Sequence, residues 1–105
     1  MNFRELAKNL DIEEEMYLEL IELFIHTGTS DLDKIRSAVE ERDAEQAANA
    51  AHSLKEAAVS LGLIKLSETA REIEEKARND QLERISEVAH ELKKKLDEIA
   101  ELAKV

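Results

Sequence analysis

The stretch DQLERISEVAHELKKKLDEIAELA, Asp80–Ala103, decides the fold. Its apolar residues Leu82, Ile85, Ala89, Leu92, Leu96 and Ile99 recur at steps of three and four, which gathers them on one face of a helix. A half-buried strand would alternate at every second residue, and this stretch does not. Upstream, Leu63, Leu66, Ala70, Ile73 and Ala77 repeat the same stepping. Residues 12–27 carry a wider apolar arc (Ile12, Met16, Leu18, Leu20, Ile21, Leu23, Phe24, Ile25), as expected of a helix that touches two neighbours. The pattern predicts main helices at about 12–27, 30–41, 44–61, 63–78 and 81–103, with a short capping helix near 3–9. Short links between long amphipathic helices imply antiparallel neighbours, so the expected fold is all-α: an up-and-down bundle with a four-helix core.

Punctuation supports these boundaries. Asp11–Glu14, Ser30–Asp33, Asp43–Gln46 and Asp80–Glu83 each set a capping residue three positions before an acidic or amide residue. Gly28, Gly62 and Asn79 stand where helices are expected to stop.

Composition narrows the function. A length of 105 residues suits one domain, taken as residues 1–105. Cysteine is absent, which removes disulfides and thiolate metal sites, and with no proline and two glycines the chain lacks the turn chemistry of sandwiches and barrels. The 15 Lys+Arg against 25 Asp+Glu leave a net charge of −10, which repels phosphate backbones and anionic lipid, so neither nucleic acid nor membrane is an expected partner. No apolar run reaches the roughly 18 residues of a spanning helix, and the N-terminus lacks a signal-peptide core; a cytoplasmic protein and a monomer are expected. Met1 followed at once by a helical pattern favours a free-standing protein. Lys93–Lys95 is too short for a nucleic-acid patch and reads as a solvated face.

Helix 44–61 departs from the others. It is alanine-rich (Ala44, Ala47, Ala48, Ala50, Ala51, Ala57, Ala58), so neighbouring backbones can come close. At about 100° per residue, with His52 at zero, Ala47, Leu54 and Leu61 fall near −140°, −160° and 180°. The buried arc is therefore expected opposite His52. On the outer stripe with His52 lie Ala48 (about −40°), Val59 (about −20°), Lys55 (about −60°), Glu45 (about 20°) and Glu56 (about 40°). A neutral imidazole is a nucleophile near neutral pH, and an ammonium one turn on could bind an anion that it acquires, which points to phosphoryl chemistry. Ala48 and Val59 would let a partner surface approach. Periodicity alone favours an ordinary surface histidine.

Ala51-His-Ser-Leu-Lys55, followed by Ala57-Ala58 and Leu61-Gly62-Leu63, resembles the active-site helix of histidine-containing phosphotransfer (HPt) domains, whose pattern is A-H-x-L-K-G with a downstream L-G. The likeness continues through Leu66, Ala70 and Ile73-Glu-Glu75, and the helix pattern fits over roughly residues 10–103. It implies a phosphorelay intermediate of two-component signalling. His52 would take a phosphoryl group from a receiver-domain aspartyl phosphate, free or in a hybrid sensor kinase, and pass it to another receiver. Lys55 matches the lysine that contacts the phosphoryl oxygens, and Glu74 falls where some members carry a glutamine that orients the imidazole. Such domains bind no ATP or metal and have no kinase activity of their own; the receiver brings its magnesium ion. No glycine-rich phosphate loop occurs in this chain, and no cofactor is expected.

Glu56 departs from the pattern, which has glycine there. At i+4 from His52 it can reach the imidazole, favour its cationic form and repel a phosphoryl group carrying about −1.5 to −2 charges. It keeps alive a second reading, a degenerate docking module that binds a receiver or kinase without accepting phosphate. Of the other histidines, His26 is expected to end a helix, where imidazolium suits the dipole. His90 in Glu87-x-x-His90 supplies half of a di-iron signature that needs two such motifs, so no metal site is expected. Ser53 and Ser60 lie about 80–100° around the helix from His52, and no hydrolase triad can be assembled.

Overall fold

The stepping of apolar residues translates into helices everywhere it was found, and the bundle departs from expectation mainly at Gly28. The computed structural model describes residues 1–104. Its helices are α1 (Phe3–Asn9), α2 (Glu14–Glu40), α3 (Ala44–Ser60), α4 (Ile64–Arg78) and α5 (Ile85–Ala103), the last preceded by a 3-10 turn at Leu82–Arg84. No strand occurs among the described residues, and no helix there is long and apolar enough to cross a membrane. Around the bundle α2 packs on α3, α3 on α4, α4 on α5 and α5 back on α2, while α1 lies against α2.

The expected helices 12–27 and 30–41 are one helix. Gly28 does not end α2; it is buried in the middle of it, and Ser30–Asp33 is helix interior. A helical glycine costs only about 1 kcal/mol relative to alanine. Continuing past it buries Leu32, Ile35 and Ala38, which offsets more than that. The missing side chain also has a use, since a Cβ at Gly28 would stand 3.2 Å from Leu96 Cδ2 of α5. At about 1.5 Å per residue the 27 residues of α2 span about 40 Å, the full 42 Å length of the molecule. His26 consequently lies in mid-helix, exposed, not at a helix end.

Four helix ends share one device. The backbone N–H of Ile12 bonds to Ala7 O, Asp43 to Ala38 O, Leu63 to Ala58 O and Gln81 to Lys76 O, each spanning a residue with positive φ: Asp11 (57°), Arg42 (57°), Gly62 (76°) and Asp80 (56°). These are Schellman closures, which satisfy the last carbonyls of a helix while reversing the chain. Asp11 and Asp80, expected to cap the following helix, instead end the preceding one; the N-cap positions fall to Glu13 before α2 and Gln81 before the 3-10 turn, neither with a side-chain cap bond. Asp43 does cap α3, accepting from Gln46 N at 3.0 Å.

The core runs along the bundle axis through Tyr17, Ile21, Ile35, Leu54, Ile73, Ile85 and Leu92, all fully buried. Tyr17 donates its hydroxyl hydrogen to Leu61 O and faces Phe3 of α1 at 6.1 Å between ring centroids, which ties the capping helix to the α3–α4 link. Met16, Leu20 and Leu23, read from the sequence as packing against a second neighbour, are 54%, 38% and 59% exposed.

The two glycines should respond oppositely to alanine. Gly62→Ala forces a Cβ into the left-handed region and should lower unfolding free energy by about 1 kcal/mol. Gly28→Ala gains helix propensity against a crowded Leu96 and should stay within about 0.5 kcal/mol of the parent, whereas Gly28→Val should cost about 1–3 kcal/mol. Urea titration of the three variants checks this; a larger loss at Gly28→Ala than at Gly62→Ala would mean that Leu96 cannot give way.

Candidate functional site

Small side chains on α3 bring α4 close, and that approach builds the site. Ala47, Ala48, Ala51 and Ala58 are all essentially inaccessible. Measured from His52 at about 100° per residue, buried positions on α3 run from about 160° (Ala50) through 180° to about −40° (Ala48). The buried arc is thus centred near −120°, not opposite His52, because α3 is covered by α2 on one side and α4 on the other. His52 sits at the edge of this arc, 48% exposed at its side chain.

Ala48 is the casualty of that shift. It was expected on the outer stripe as a docking residue, but is 1% exposed and belongs to the core. Val59, from the same expectation, is open at 52%.

Across the α3–α4 seam, Glu74 faces His52. Its carboxylate is 9% exposed and surrounded by nitrogen. Oε2 lies 3.1 Å from His52 Nδ1 and accepts from Arg78 Nη2 at 2.8 Å and Arg78 Nε at 3.1 Å. Oε1 lies 3.0 Å from Lys55 Nζ. Burial, the largest single influence, pushes the Glu74 pKa up, but hydrogen bonds from Arg78 and Lys55 and the charges of Lys55 and His52 together outweigh it. The net result is a pKa below the ordinary 4.5, so Glu74 is a carboxylate at neutral pH. An ionised carboxylate only accepts, so the hydrogen between Glu74 and His52 resides on Nδ1. In the neutral ring this leaves the lone pair on Nε2.

Nε2 lies on the side of exposed Glu56, whose Oε1 is 3.9 Å away, too far for a hydrogen bond; the same oxygen stands 3.9 Å from Lys55 Nζ. The i+4 reach expected of Glu56 is therefore realised as proximity. His52, Lys55, Glu56 and Glu74 converge on one spot, with Val59 two turns along α3 from His52. Arg78 was missed by the sequence reading, although its i+4 spacing from Glu74 on a predicted helix was a usable signal. His26 and His90 are exposed, and among the described residues no group of His, Asp and Glu is placed to hold a metal ion.

The lowered Glu74 pKa carries a sign. A group whose pKa is depressed on folding contributes stability above its unfolded value, here about pH 4.5, and loses it as pH falls through the folded value. Urea titrations of the parent and Glu74→Gln should therefore differ most near neutrality. The gap should close as pH falls below about 4.5 through the lower folded value. A gap independent of pH would show that the carboxylate is not held in its charged form.

Comparison with known proteins bears on the fold and the family. The family model described as Hpt domain matches residues 19–102. The crystal structure of histidine-containing phosphotransfer protein B (HptB) from Pseudomonas aeruginosa PAO1 is similar, with a TM-score of 0.85 and 24% sequence identity over 98% of this chain and 90% of that one. At that identity the likeness speaks for the helical-bundle fold. No curated protein sequence matches the chain. The family match runs from the first turns of α2 to the end of α5, well over half of the sequence, and the chain belongs to the Hpt domain family, the histidine phosphotransfer carriers of two-component signalling.

Proposed function

We propose that His52 carries a phosphoryl group between receiver-domain aspartates, free or within a hybrid sensor kinase. The observation that supports this reading is the half-exposed ring held at Nδ1 by the buried Glu74 carboxylate, with Nε2 free of any hydrogen bond among the described residues. The Nε2 lone pair attacks the phosphorus of an aspartyl phosphate. The O–P bond breaks, its electron pair leaves on the receiver carboxylate, and an Nε2–P bond forms. Nδ1 keeps its hydrogen, so the ring becomes cationic as it is phosphorylated, and Glu74 compensates that charge. No proton has to move. Reversal with a second receiver returns the ring to its starting form. Residues 1–105 act in this as one domain that hydrolyses nothing and supplies no nucleotide.

Lys55 is the phosphoryl contact. Its ammonium is tied to Glu74 at rest and lies one turn from His52, within reach of oxygens on an Nε2-bound phosphorus. The receiver docks over Val59, with the exposed stripe Met16, Leu20 and Leu23 of α2 as a further apolar patch. Tyr17 is level with Leu61 and Ala38 with Asp43, so this stripe runs beside the C-terminal half of α3.

Glu56 favours keeping the docking-only module as the second reading. It is 62% exposed, so solvent screens its repulsion of the phosphoryl group towards the weak limit, and transfer is slowed, not abolished. Radiolabelled transfer from a panel of phosphorylated receiver domains decides between the readings. Label on the parent should disappear in His52→Gln and appear about three- to tenfold faster in Glu56→Gly. Equal rates for parent and Glu56→Gly would remove Glu56 as a brake. Silence of all three proteins across the panel would leave docking without transfer.

A further inference from the structure

The two oxygens of Glu74 have different partners, and that division has a consequence for transfer. Oε2 holds His52 Nδ1 and both Arg78 donors, while Oε1 holds Lys55. On the carrier reading, Lys55 must give up Glu74 to reach the phosphoryl oxygens. A carboxylate that is 9% exposed cannot lose its neighbouring cation without replacement, because its desolvation would then be uncompensated. We propose that Arg78 is the positioning residue that makes this exchange feasible: its fork clamps Oε2 onto the Nδ1 hydrogen, so Lys55 can leave Oε1 while the ring stays oriented.

Three features of the structure support the assignment. Arg78 reaches Oε2 through Nε and Nη2 at 3.1 and 2.8 Å, a two-point grip on one oxygen that fixes direction as well as charge. It sits at i+4 from Glu74 in the last turn of α4, where a cation also suits the helix dipole, so the clamp is rigidly referenced to the residue it holds. The tautomer it enforces is also the less favoured one. A neutral histidine side chain in water prefers its hydrogen on Nε2, the atom that must attack, so the nucleophilic form has to be imposed by an acceptor fixed at Nδ1. Lysine could supply the charge but not the fork. Arg78 touches neither phosphorus nor Nε2; it acts through Glu74.

The test reads the ring directly. Long-range proton–nitrogen correlation spectra of uniformly labelled protein, taken where His52 is neutral, report which nitrogen bears the hydrogen. The parent should favour the Nδ1–H tautomer by about tenfold or more. Arg78→Gln should reduce that preference by about threefold or more, and Arg78→Lys should restore only part of it. Lys55→Met should reduce it less than Arg78→Gln does, since Lys55 uses the other oxygen. Arg78 has a 55% exposed side chain, so these variants keep the core intact, and their Tm values report any loss of fold. Phosphoramidate supplies a second readout without a receiver: its P–N bond breaks, ammonia leaves, and phosphorus NMR identifies which ring nitrogen is phosphorylated. The parent should give the Nε2 isomer alone, and Arg78→Gln a mixture with the Nδ1 isomer. An unchanged tautomer and an unchanged isomer in Arg78→Gln would overturn the clamp and leave the carrier reading standing. A parent that takes phosphoryl from neither phosphoramidate nor any receiver would overturn the carrier reading and, with it, any part for Arg78 in transfer.

Discussion

The site depends on keeping a carboxylate ionised where water hardly reaches it. Glu74 is 9% exposed, and burial alone would favour its protonated form. Lys55 from α3 and Arg78 from α4 reverse that preference, so one charge on each helix is pinned to a shared anion at the seam. The alanines of α3 make this possible. Leucine at Ala48 or Ala51 would hold α4 off by the extra volume, and the pair of cations could not both close on the same carboxylate. The packing of small side chains and the orientation of the imidazole are therefore one arrangement described at two scales.

Register is the second constraint, and it is set at Gly62. His52 lies ten residues before that turn and Glu74 twelve after it, both about 15–18 Å along antiparallel axes, so the two side chains arrive at the same level. One inserted residue in the link would rotate α4 by about 100° and carry Glu74 away from the ring. The Schellman closure from Leu63 N to Ala58 O, with φ of 76° at Gly62, fixes that link, and the Tyr17 hydroxyl on Leu61 O fastens it to α2. A glycine ten residues from the reacting histidine thus has a positional part in its chemistry.

The sequence made the helices, their order and the pairing of His52 with Lys55 legible because each rests on local spacing. Gly62 was legible for the same reason. Gly28 carries the same letter, yet its place depends on Leu96, a residue 68 positions away that no local rule can see. Asp11 and Asp80 were misread because aspartate serves both as an N-cap and as a left-handed residue, and only the bond to Ala7 or Lys76 tells which helix owns the junction. Ala48 was misplaced because helical arithmetic gives angles around one axis without saying which directions neighbours occupy. Arg78 escaped because an i, i+4 pair on a helix usually signals a weak surface contact. What raised this pair above that level was the burial of its acidic member, a tertiary fact.

Charge counting explains why such a site suits a passing group better than a stored one. At rest, with the ring neutral, Lys55 and Arg78 balance Glu56 and Glu74, and the cluster sums to zero. An Nε2-bound phosphoryl group adds about −1.5 to −2, while the ring becomes cationic, leaving the cluster between about half and one negative charge in excess. Lys55 cannot correct this, because every step it takes towards phosphorus removes it from Glu74. Glu56, where the family has glycine, adds a negative charge beside the group. The excess is relieved by a partner that brings positive charge of its own, as a metal-bearing receiver would, or by giving the group away. On the carrier reading, the local electrostatics therefore favour transfer out over retention, and Glu56 steepens that preference while it slows unaided loading.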